Sequence, residues 1–133
     1  MKRPVNPADL APPIGFAHGF LVEHGLSRTL YLAGQCGCDQ QGRIVERGDL
    51  VGQLDRALAN IGCVLRDAGM SYHDIVQLNF YLISRHDYAT ARKQFGAVWQ
   101  RYSGRHFPGM ALFQVVSLFD LDALIEVQGI AAT

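Results

Sequence analysis

From Leu50 the apolar positions recur at three- and four-residue steps through Leu54, Ala57, Leu58, Ile61, Val64, Leu65 and Ala68, the spacing of one face of an amphipathic helix. Asp49 stands where an N-cap would accept from the first turn, and Gly69 stands where a helix would end. The period then changes to two. Over Ile75–Ile83, Val76, Leu78, Phe80 and Leu82 alternate with Gln77, Asn79 and Tyr81, predicting a strand with one apolar and one polar face. Ser84 can cap a second helix whose buried stripe is Tyr88, Ala91, Phe95, Val98, Trp99 and Tyr102, which makes Trp99 a core residue.

Shorter apolar runs flank these segments. Phe16–Val22 and Arg28–Ala33, separated by Glu23-His24-Gly25, predict a hairpin, and Arg43-Ile44-Val45 follows turn-forming Asp39-Gln40-Gln41-Gly42 as a short extension. Two closing strands run from His106 to Val116, after the Pro108-Gly109 step, and from Leu124 to Ile130. The order is β-β-(β)-α-β-α-β-β, an α+β fold with two helices covering one face of a mixed sheet. Residues 1–13 hold four of the five prolines and are expected to form an extended, poorly ordered lead-in to a single domain over residues 14–133. The uncovered face, with Gln77, Asn79, Tyr81 and Gln114, is expected to be a subunit interface carrying some polar groups.

Composition removes several function classes. Twelve basic and twelve acidic side chains give a formal net charge of zero, and Arg101, Arg105 and His106 are too sparse a cluster for a nucleic-acid surface. Three cysteines and a polar N-terminus point to a reducing compartment, with cytoplasm the default, and no apolar run is long enough to span a bilayer. Cys36 and Cys38 form a C-x-C pair whose only other thiol is Cys63, so no zinc-like ligand set is present and the thiols are expected to be incidental to chemistry.

One residue breaks the apolar pattern near the C-terminus. Glu126 lies within Leu124-Ile125-Glu126-Val127, where an ionised carboxylate needs a partner, a ligand or a wetted face. Strand alternation puts Leu124, Glu126, Gln128 and Ile130 on one side, so Glu126 is either a solvated residue or a catalytic acid.

Several segments together resemble the RidA (YjgF) family across nearly the whole chain. Ala11-Pro12-Pro13-Ile14-Gly15-Phe16-Ala17-His18 is similar to its A-P-x-x-x-G-[YF]-S-[QH] entry segment, and Leu30-Tyr31-Leu32-Ala33-Gly34-Gln35 to its L-[VY]-x-[SA]-G-Q strand. Ala68-Gly69-Met70-Ser71-Tyr72-His73-Asp74-Ile75-Val76 is similar to its A-G-x-x-x-x-D-[IV]-V signature, and Phe107-Pro108 and Ile125-Glu126-Val127 match its closing motifs in part. The resemblance implies a chorismate-mutase-like fold and a homotrimer with small-molecule clefts between subunits. It also implies cofactor-free hydrolysis of imines and enamines such as 2-aminoacrylate to 2-oxo acids and ammonia.

In such enzymes an arginine two residues after the Phe-Pro proline clamps the substrate carboxylate, and a last-strand glutamate manages the attacking water. Glu126 matches the glutamate, but Met110 replaces the arginine and can neither donate to nor neutralise a carboxylate. Phe16 takes the place of a substrate tyrosine without its hydroxyl. Arg92 is either a relocated anion clamp or a solvated helix residue. His18 is either a general base or a hydrogen-bonded structural group. Gly34, Gln35, Cys36 and Leu112 correspond to main-chain substrate contacts. The resemblance therefore leads to a divergent imine or enamine deaminase; a non-catalytic metabolite-binding trimer and an endoribonuclease or translation inhibitor are the alternatives.

Overall fold

The computed structural model describes residues 1–133. Its scaffold is one six-stranded sheet, β1 (Lys2–Val5), β2 (Gly19–His24), β3 (Ser27–Gln35), β4 (Ile75–Leu82), β5 (Gly109–Gln114) and β6 (Ile125–Ala132), in the order β1-β2-β3-β6-β4-β5. Every neighbouring pair is antiparallel except β4 and β5, which are parallel. The helices are α1 (Leu50–Asp67), α2 (Arg85–Thr90) and α3 (Arg92–Ser103), and a 3-10 turn over Tyr72–Asp74 leads into β4.

The caps read from sequence are in place. Asp49 accepts from the Gly52 amide and Ser84 from the Asp87 amide, while Gly69 adopts φ +70 just beyond α1. The α1 end is also held from the sheet. Arg28 on β3 donates to the Ala68 and Gly69 carbonyls at 2.9 and 3.1 Å, groups that the helix itself leaves unpaired. The core lies between α1, α3 and one sheet face, with Leu54, Leu58, Ile61 and Leu65 packing over Leu30, Leu78 and Val127.

Four expectations change. The lead-in contributes a strand, β1, because its register with β2 puts Pro4 on an edge strand, where a missing amide costs no ladder bond. The extension at Arg43–Val45 shrinks to a single bridge between Cys38 and Ile44. A register shift between Ile75 and Gln77 turns Val76 outward, half exposed, instead of toward the core. The second helix breaks at Ala91, whose ψ of 13° is not helical, beside Thr90, which bonds back to the His86 carbonyl.

Candidate functional site

Strand parity separates the candidate residues into two groups. Glu126 pairs with Tyr81 and lies on the sheet face away from the helices, with Gln128, Asn79 and Phe113. Met110 pairs with Leu78, and Leu112 with Phe80, on the helix-covered face. A side chain of either group would have to cross the sheet to meet the other within one chain.

The Glu126 carboxylate is held locally. The Cys36 thiol donates to its Oε1 at 3.3 Å, and Gly34 leaves the space it fills, since a Cβ on Gly34 would come within 2.8 Å of its carboxyl carbon. Burial pushes the Cys36 thiol well above its usual range, and the charge of Glu126 and the hydrogen bond to it push the same way. The thiol thus stays a donor. From sequence, Cys36 has only a main-chain place in the site and an incidental thiol; the bond from that thiol to Glu126 is a contact beyond that expectation. Burial likewise raises Cys38, but its thiol makes no contact with Glu126. No three His, Cys, Asp or Glu side chains gather in an arrangement that could hold a metal ion.

Two α1 amides that the sequence reading missed fix the backbone around this carboxylate. Asn60 Nδ2 donates to the Cys36 and Cys38 carbonyls at 3.1 and 3.0 Å. The fully buried Gln53 donates to the Glu46 and Asp122 carbonyls and accepts from the Leu124 amide at 2.7 Å, two residues before Glu126. A signal for both existed. Gln53 and Asn60 fall at the Ala57 and Val64 spacing of the α1 stripe, where an unpaired amide would be excluded.

His18 is buried, with both ring nitrogens engaged. Nε2 lies 2.7 Å from the Ala11 carbonyl and must donate to it, so Nδ1, 3.0 Å from Gln35 Nε2, accepts. Neither nitrogen is left for a ligand, and the pair ties the Ala11–His18 loop to the end of β3. Gln35 is buried, with its side-chain nitrogen on His18. Phe16 is half exposed, edge-on to the His18 ring at 5.3 Å.

The helix-face group opens on a cavity of about 440 Å³ between α1, α3 and β5. Its floor is Leu54 and Leu58, its walls include Phe95, Trp99, Met110 and Leu112, and Arg92 is its one charged residue. Arg92, at the first position of α3, is exposed and makes no ion pair. Trp99 is buried as expected, with Nε1 donating to the His106 carbonyl at 2.9 Å and its ring facing the cavity.

The model of the endoribonuclease L-PSP family matches residues 16–133. The chain belongs to that family, the RidA (YjgF) family. It is 31% identical over 131 residues to a RutC family protein of Pyrococcus horikoshii, covering 98% of each chain. It is 26% identical over 132 residues to the human 2-iminobutanoate/2-iminopropanoate deaminase, covering 98% of this chain and 90% of that one. A putative endoribonuclease of Thermotoga maritima superposes with a TM-score of 0.85 at 27% identity, covering 100% of this chain and 98% of that one. The Escherichia coli YjgF product, at 23% identity, shares the fold with a TM-score of 0.79 over 97% of each chain. In this RidA chain Met110 stands on the cavity wall, while Glu126 and Gly34 stand on the opposite side of the sheet.

Proposed function

We propose that the protein is a cofactor-free hydrolase of small imines or enamines, working in clefts between the subunits of a homotrimer. The observation that carries this reading is the carboxylate of Glu126, ordered on the open sheet face by the Cys36 thiol and the space at Gly34, in a chain whose relatives include 2-imino acid deaminases. The opposite faces of Glu126 and Met110 favour a composite cleft, in which Glu126 of the partner subunit meets the Arg92 and Met110 cavity of its neighbour.

In the reaction water adds to the C=N carbon while Glu126 takes one of its protons and passes it to the nitrogen, giving a carbinolamine. The hydroxyl proton of that carbinolamine then moves through Glu126 to the nitrogen, the C–N bond breaks, and a carbonyl compound and ammonia leave. Arg92 holds the substrate anion in place of the arginine that Met110 replaces. Loss of a charge-assisted contact at position 110 costs on the order of 2–3 kcal/mol, so three-carbon imino acids should turn over roughly 30- to 150-fold more slowly than with an arginine there.

The test generates 2-iminopropanoate in situ with an amino-acid oxidase and follows how far the protein lowers the semicarbazone that semicarbazide forms from the free imine. Met110→Arg is expected to raise the rate by at least tenfold, and Glu126→Gln to lower it by at least a hundredfold in either background. An unchanged rate in Glu126→Gln would remove Glu126 from the chemistry. Ligand binding without turnover is the second reading, favoured by Met110 itself.

A further inference from the structure

We infer that the molecule this site takes is a monocarboxylate with a bulky apolar side chain, aromatic or branched aliphatic, seated in the cavity between α1, α3 and β5. The inference rests on the site reading above and names its substrate class. The cavity volume of about 440 Å³ lies in the range of pockets that enclose drug-sized ligands, about 300–1,000 Å³. A three-carbon imino acid would leave most of it empty or wet.

The lining sets the chemistry of what fills it. Leu54, Leu58, Phe95, Met110 and Leu112 offer no hydrogen bond beyond a weakly accepting thioether, and the Trp99 Nε1 is already spent on the His106 carbonyl, which leaves the Tyr88 hydroxyl as the one neutral polar side-chain group on the wall. A hydroxyl or amide on the ligand side chain would therefore lose its water for at most one side-chain replacement, the Tyr88 hydroxyl, while a ring or branched alkyl group loses nothing. Arg92, free of any carboxylate partner, supplies one anion contact at the rim and no second cation lies along the wall. Met110 contributes to this selectivity by adding apolar wall to the cavity. A ligand with one carboxylate and one ring matches both ends.

Gly96 gives a way to close the cavity. It lines the pocket on α3, and a Cβ there meets no atom within 4 Å, so a side chain can be added without disturbing the core. Helix propensity also favours the change.

Titration calorimetry on the full-length protein compares phenylpyruvate with pyruvate, which keep the 2-oxo acid head of the reaction product and differ in the ring. Phenylpyruvate is expected to bind at least tenfold more tightly, because even one methylene in an apolar pocket is worth about tenfold or more. Gly96→Leu should weaken phenylpyruvate at least tenfold with its melting temperature retained, and Arg92→Gln should weaken it similarly. Equal affinities in the unaltered protein would overturn the inference whatever the variants do.

Turnover of the imines made in situ from phenylalanine and alanine separates this inference from the hydrolase reading. Faster turnover of the phenylalanine imine supports both. Faster turnover of the alanine imine overturns the substrate class and leaves imine hydrolysis standing. Tight phenylpyruvate binding with no turnover of either supports the substrate class and overturns hydrolysis.

Discussion

A protonated thiol beside a carboxylate is an unusual way to hold a candidate catalytic group, and it makes Cys36 a reporter on Glu126. Because burial first, then the Glu126 charge and hydrogen bond, disfavour the thiolate, Cys36 should react with iodoacetamide at pH 8 far more slowly than an exposed cysteine. Glu126→Gln removes the charge. Alkylation of Cys36, read by peptide mass spectrometry, is then expected to accelerate severalfold, while Cys38, which does not touch Glu126, changes little. Equal rates at Cys36 in both proteins would mean that the contact does not persist in solution. At this scale the sequence shows Glu126, because a charged residue interrupts an apolar run, and Gly34, through a motif. It does not show the Cys36 contact, which depends on how β3 runs past β6 after a register shift between Leu32 and Gln35. Nor does composition show that Gln53 and Asn60 are bonded to loops distant in the chain.

Between elements, the α1 to α3 contact carries a polar link that titrates. The Tyr102 hydroxyl donates to the Asp55 carbonyl at 3.1 Å and to the Asp55 carboxylate, which Arg101 also meets at 2.7 Å. Burial, then the Asp55 hydrogen bond and charge, push Tyr102 up to about 12. For Asp55, burial acts upward but is outweighed by the hydrogen bonds from Tyr102 and Arg101, so its value is lowered. The signs give two windows. The Tyr102 contribution is fully present below the unfolded tyrosine value near 10 and is lost as pH rises toward about 12. The Asp55 contribution is present above the unfolded value near 4 and is lost as pH falls through the lowered one. Tyr102→Phe is expected to cost about 1 kcal/mol at neutral pH, since the carboxylate is partly solvated. It should flatten the alkaline fall in melting temperature and weaken the acid one. An unchanged alkaline slope would assign that fall to other groups. The apolar stripe of α3 announces the helix, but this link and the break at Ala91 depend on single side chains that periodicity does not weigh.

For the whole molecule, the sheet face opposite the helices decides what the chain can do alone. Phe20 and Tyr31 are cross-strand neighbours there, and Phe113 stacks on Tyr81 at 5.7 Å; Phe20, Tyr31 and Phe113 remain 42%, 50% and 48% exposed. Such an aromatic surface calls for a cover. The expected polar groups are partly there, with Tyr81 bonded to Gln128, but Gln114 instead accepts from the Arg85 amide at the start of α2. Zero formal net charge leaves no overall repulsion between copies. The sequence suggests a polar and an apolar sheet face. It cannot show that Glu126 and Met110 lie on opposite sides, because that follows from the registers of β4 with β5 and β6, strands brought together from distant parts of the chain. If copies assemble through the aromatic face, light scattering at micromolar concentration should give about three times the 14.7 kDa chain mass, with a melting temperature that rises with concentration. Tyr31→Glu puts a charge into that interface at a position the isolated chain leaves half exposed. It should shift the protein to monomer, keep the helical and strand signals of circular dichroism, and abolish imine hydrolysis if, as proposed, each cleft draws Glu126 from one subunit and Arg92 from another. A monomeric wild type would overturn the assembly, and a monomeric Tyr31→Glu that keeps full activity would show that a single chain contains the whole site.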